Sequence, residues 1–216
     1  MESADYDEMK NDWVDVVFQA YERGRKLTPE EAQGIEAELN NEPNKLVDRL
    51  SLIAYLTELH FNGEGVEAIR SRRAQHIFWL IEHVPDHPAL ADGECEVLSG
   101  IDANYSQFKV LWQQQIEKHQ SNPLVLANAA HAVLIEDGEL AETLLTECER
   151  MLPNHPDWSL FLSVIYEIRA QNSIDAEQET RWNDLAQQCK ERCQILRRQR
   201  MRKAMRDDGI ARGHDD

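Results

Sequence analysis

The chain has 216 residues and a formal net charge of −17, from 40 acidic against 23 basic side chains. An apolar content of 42% excludes a disordered chain, and only 9 Gly and 7 Pro argue against an all-β fold with its many turns. No apolar run of about 18 residues is present, so no membrane span is expected, and so acidic a body repels a phosphate backbone.

The N-terminus, Met1 to Glu8, has neither a basic nor an apolar stretch and reads as no signal peptide. Four cysteines are too sparse for a disulfide framework, so a cytoplasmic protein with reduced thiols is expected. Tyr6, Met9, Trp13, Val16, Val17 and Ala20 follow helical steps and predict a first helix over about 5–23. Thr28-Pro29-Glu30-Glu31 is a helix start: Thr28 can cap, Pro29 suits the first turn, and Glu31 can bond back to the cap. Ile35 and Leu39 continue that helix to about 40. Leu46, Leu50, Ile53 and Ala54 mark a third, closed near Asn62-Gly63. No alternating run long enough for a strand occurs.

Further along, Pro85-Asp86-His87-Pro88 and Pro153-Asn154-His155-Pro156 share one form, 68 residues apart, which is twice 34. Prolines at 43, 88, 123 and 156 punctuate the chain at spacings of 45, 35 and 33, each expected to precede a helix. From Pro123 the sequence reads Leu126-x2-Ala129-Ala130-x2-Val133, then Ala141-x3-Leu145-x2-Cys148-x4-Pro153. The next unit gives Ser159-x2-Leu162-Ser163-x2-Tyr166. In this spacing the chain resembles the tetratricopeptide repeat family, over about 43–190 and most closely over 123–166.

That resemblance implies an all-α fold: a right-handed stack of antiparallel helix pairs, an α-solenoid in which each pair buries its neighbour's apolar face. Small residues at Ala130, Ala141 and Ser163 would let helices approach closely. The expected organisation is N-terminal capping helices over 1–42, the repeat domain over 43–190, and a basic helical extension with a polar tail over 191–216. The resemblance also implies a partner-binding groove lined by first helices, which by position takes Asp48, Ser51, Tyr55, Asn128, His131, Phe161 and Val164.

Residues 190–206 hold eight basic side chains and one acid, a charge of +7 within a chain of −17. Arg197, Arg198, Arg200, Arg202 and Lys203 are the candidate contacts there. The segment reads as a solvated helix end, a contact for RNA or an acidic partner, or a strand of charge folding back on the acidic body. With Ile195, Leu196, Met201 and Met205 as its few apolar residues, it is expected to leave the body and fray, stopping near Gly209.

Chemistry-bearing constellations are scarce. His60, His76, His83 and His87 lack Cys-x2-Cys companions, and Pro85 interrupts the His83-x3-His87 pair. Cys189-x3-Cys193 offers two ligands, half a tetrahedral site, and reads as packing. Gly63-Glu64-Gly65 reads as a turn, since no strand precedes it and no Lys-Ser/Thr follows. Trp79, Trp112, Trp158 and Trp182 read as packing between helices. No nucleophile, base and orienter stand together. The reading is therefore a non-catalytic scaffold or adaptor that binds another protein or peptide, without cofactor or metal. Its alternative is an accessory protein contacting RNA or an acidic partner through the basic C-terminal helix, the only part expected to touch nucleic acid.

Overall fold

A computed structural model describes residues 3–62 and 66–212, with side chains described over 13–59 and 66–206 apart from Ala204. Gly63-Glu64-Gly65 and the side chains of Tyr6, Met9 and His60 lie outside the described residues. Every regular element described is helical: α1 (Ser3–Gly24), α2 (Pro29–Asn41), α3 (Leu46–Asn62), α4 (Val66–His83), α5 (Tyr105–Lys118), α6 (Pro123–Val133), α7 (Gly138–Met151), α8 (Pro156–Gln171) and α9 (Ala176–Arg212). Two short 3-10 helices, Pro88–Ala91 and Gly93–Cys95, lie between α4 and α5. Among the described residues no helix is long and apolar enough to cross a membrane. Contacts divide the chain into two compact units, 1–132 and 133–216.

In the first unit α3 is the centre. It packs against α1, α2 and α4, and Leu50, Leu52, Ile53, Ala54 and Leu56 are all fully buried. A helix apolar on every side must be enclosed on every side. The capping box at the start of α2 forms as its sequence dictates: the Glu31 N–H donates to Thr28 Oγ1 at 3.2 Å, and the Thr28 N–H donates to Glu31 Oε2 at 2.8 Å. Ala32, Ile35 and Leu39 then face Leu52, Tyr55 and Leu56 in a shared cluster.

α1 meets α3 through glycine. A Cβ on Gly24 would stand 2.1 Å from the Ser51 carbonyl oxygen and 2.9 Å from Ala54 Cβ. The obstacle is backbone, which cannot rotate away. Gly24→Ala is expected to destabilise the chain by about 3 kcal/mol, despite the better helix propensity of alanine. Urea denaturation checks it, and a neutral result would mean that the two helices do not approach this closely.

The recurring P-[DN]-H-P sequence is a histidine cap. His87 Nδ1 accepts from the Ala89 N–H at 3.2 Å, and His155 Nδ1 accepts from the Asp157 N–H at 3.3 Å. Both imidazoles are buried, and each is followed by proline at the first helical position. Asn154 supplies a left-handed turn residue, φ +63°, just before the second cap. The two caps open different structures. His155 starts the 16-residue α8, whereas His87 starts a 3-10 helix of four residues. The helix expected directly after Pro88 is therefore not an α-helix, and α5 begins only at Tyr105. Pro123 and Pro156 do begin α-helices, while Pro43 sits in the turn before α3.

The second unit is built on α7, α8 and α9, where α8 packs against both others. Asp137 caps α7, accepting from the Leu140 N–H at 3.0 Å, and Ala141, Leu144, Leu145 and Cys148 form its buried face. Glu142 holds α8 to α7: it accepts from Tyr166 Oη and from Arg169 Nη1, each at 2.7 Å. Tyr166 stacks on Trp182 of α9 with ring centroids 5.7 Å apart. Trp158 is fully buried and its indole N–H donates to the Leu152 carbonyl at 3.1 Å. The small residues Ala141 and Ser163 of this unit are buried, as is Ala130 in the first.

Candidate functional site

The residues assigned to a partner-binding groove are placed unevenly. Ser51 is fully buried and its hydroxyl donates to the Val47 carbonyl at 2.9 Å. Tyr55 is buried in the cluster between α2 and α3. Asn128 is buried, and its amide donates to the Pro85 and His87 carbonyls at 2.9 and 3.0 Å, tying α6 to the turn before the first histidine cap. These three side chains face inward because their helices are enclosed, so they present nothing to a partner. Asp48 is half-buried and accepts from Arg23 at 2.7 Å. His131 is half-buried, and burial lowers its pKa against the opposing pull of Glu96 and Asp92. In the second unit Phe161 is half-buried and Val164 is exposed.

The histidines singled out in the sequence do not converge. His83 donates from Nδ1 to the Trp79 carbonyl at 2.9 Å and stacks on the Trp79 ring, whose centroid is 4.3 Å away. His76 Nδ1 accepts from Arg49, 3.4 Å away, and the Arg49 guanidinium lies 4.0 Å over the Trp79 ring. His87 is spent as a cap. Among the described residues no group of three or more His, Cys, Asp and Glu side chains is arranged to hold a metal ion. The cysteines are all outside disulfides. Burial pushes the Cys95 thiol, in the first unit, up to about 12, and does the same to Cys148 in the second.

The basic helix is where structure and sequence charge coincide. α9 is one uninterrupted helix through Gly209 to Arg212, past the expected stop. Trp182, Ala186, Cys189, Cys193, Leu196 and Arg200 alternate in steps of four and three, one seam of a helix pair. Ala186, Cys193 and Leu196 on that seam are buried. Arg200 Nη1 lies 3.0 Å from His155 Nε2, at the very start of α8. Lys190 pairs with Glu167 and Arg192 with Glu149. The helix therefore stays docked through Leu196 to Arg200, inside the 190–206 segment expected to leave the body. The apolar residues there are few, but their spacing puts them on one line.

Beyond this seam the charge is outward. Arg197, Arg198, Arg202, Lys203 and Arg206 are all exposed, and none pairs with a carboxylate among the described residues. Of the five predicted tail contacts, four are thus presented to solvent and Arg200 is not. Ile195, Met201 and Met205 are exposed beside them. As far as Arg206, the C-terminal part of α9 presents a cationic surface with apolar side chains set among its arginines.

Compared with known proteins, the chain matches no family model, no curated protein sequence and no solved structure.

Proposed function

We propose that this protein is a non-catalytic interaction module that engages an acidic protein surface through the basic end of α9. The observation that carries this reading is the set of exposed cations at Arg197, Arg198, Arg202, Lys203 and Arg206, held on a helix whose inner side is anchored to α8. Anchoring removes the ordering cost that a flexible basic tail would meet on binding. Arginine pairs with carboxylates through two parallel hydrogen bonds. The exposed Ile195, Met201 and Met205 favour a protein over RNA, because arginine and methionine are enriched in protein interfaces. The absence of interleaved aromatic residues removes the stacking that single-stranded nucleic acid uses.

For the body we propose a degenerate tetratricopeptide-like stack. The short turns 152–155 and 172–175, the 33-residue interval from Pro123 to Pro156, and the small buried residues Ala141 and Ser163 support it. The thiols outside disulfides fit a reducing, cytoplasmic compartment.

Retention on immobilised poly-L-glutamate tests the binding reading, with homopolymeric RNA as the parallel arm. The full chain is expected to bind the polypeptide at about 50 mM salt and to release it by about 300 mM. The R197E/R198E/R202E variant is expected to flow through. Equal retention of the variant would overturn the reading, and preference for RNA would replace it with the nucleic-acid alternative.

A further inference from the structure

The outward side of α9 carries a second regular seam. Glu177, Arg181, Asp184, Gln188, Glu191, Ile195, Arg198, Arg202 and Met205 follow steps of four, three, four, three, four, three, four and three. Every one of these side chains is exposed. Together they form one face of the helix, opposite the seam that docks on α8, with Ile195 and Met205 as its apolar members. Its charge is segregated. The N-terminal half presents Glu177, Asp184 and Glu191 against a single Arg181. The C-terminal half presents Arg198 and Arg202, with Arg206 beside them.

We infer that this face pairs with the same face of a second copy of the chain, the two α9 helices running antiparallel. A two-fold axis passing between Glu191 and Ile195 sets Asp184 of each copy opposite Arg202 of the other, and Gln188 opposite Arg198. Ile195 of both copies falls beside the axis, where its exposed side chain is covered. A parallel pair would set arginine against arginine and acid against acid, so the charge pattern fixes the orientation as well as the partner. The contact is isologous and closes at two copies. From Glu177 to Arg206 the helix is about 44 Å long, enough for a continuous two-helix interface. The inference rests on the reading of α9 as an interaction surface, and it names that surface's acidic partner: the N-terminal half of the same helix in another molecule.

Sedimentation velocity on the full chain tests it, with circular dichroism confirming that each variant stays helical. The wild type is expected to form dimers that weaken at least about tenfold between about 50 and 500 mM salt. R198E/R202E makes both halves of the seam acidic, and E177K/D184K makes both halves basic. Each variant alone is expected to be monomeric. Mixed at equal amounts they should form a heterodimer, because an acid then meets a base at both of the contacts between positions 184 and 202. A wild type that stays monomeric at low salt overturns the inference, as does a mixture that fails to associate. If poly-L-glutamate is still retained by a monomeric wild type, the partner is another acidic protein and the function proposed above stands. If neither association nor retention occurs, both fall.

Discussion

Lowering the pH from 7 to 4 is expected to cost the first unit about 3 kcal/mol for each of two histidines, His76 and His87. Burial pushes both imidazoles down from 6.5 to about 4. For His76 the guanidinium of Arg49 works in the same direction as burial, and Glu36 opposes it. For His87 only Asp86 opposes. The neutral ring is also the one the fold uses, since His87 Nδ1 must accept the Ala89 N–H and His76 Nδ1 must accept from Arg49. The unfolded chain takes up its protons as the pH falls through about 6.5, whereas the native protein holds out until about 4. Between those values the unfolded state binds more protons, so stability is fully present above the upper value and falls as the pH drops through the window. Urea midpoints measured at intervals from pH 7 to pH 4 would show this slope. His87→Gln should remove about half of it, whatever the variant does to stability at neutral pH. An unchanged slope would show that this cap does not titrate as its burial requires.

Trp158→Ala is expected to cost the second unit about 3–5 kcal/mol. The side chain is fully buried, its ring packs 5.0 Å from the His155 imidazole, and its indole N–H satisfies the Leu152 carbonyl at the end of α7. Truncation removes a large apolar area and leaves that carbonyl without its bond. Trp158→Phe separates the two contributions. It keeps most of the packing and loses the hydrogen bond, so a smaller loss of about 1–2 kcal/mol is expected. Thermal unfolding of both variants checks the ranking. A phenylalanine variant as damaged as the alanine one would mean that the hydrogen bond, not the ring, carries the site.

Where local chemistry decides the structure, the sequence was readable in advance. The capping box at Thr28 and Glu31 depends on four adjacent residues. The helix starts at Pro123 and Pro156 depend on a proline that suits a first turn. The histidine caps were visible as a recurrence, but the recurrence did not say how far each helix would run. A 3-10 turn and an α-helix open with the same cap, and only the packing of the following residues separates them. The burial of Ser51 and Tyr55 was hidden for a related reason. Position within a repeat assumes that one face of α3 is open, whereas α1, α2 and α4 surround it. The docked stretch of α9 was written in the chain at Trp182, Ala186, Cys189, Cys193 and Leu196. Trp182 and the Cys189–Cys193 pair read as packing residues, but the continuation through Leu196 to Arg200 was obscured by the arginines around it, most of which sit on the other faces of the helix.

Cys95 and Cys148 give the two units separate clocks. Each thiol is buried, one per unit, and each is held far from its reactive thiolate form while its unit is closed. Alkylation of either sulfur must wait for an opening event around it, so its labelling rate follows the breathing of that unit alone. A brief pulse of reagent followed by mass mapping of the two cysteines would time the units independently in one sample, without an added dye or an engineered residue. The chain thereby reports from within on whether its halves open together or in turn.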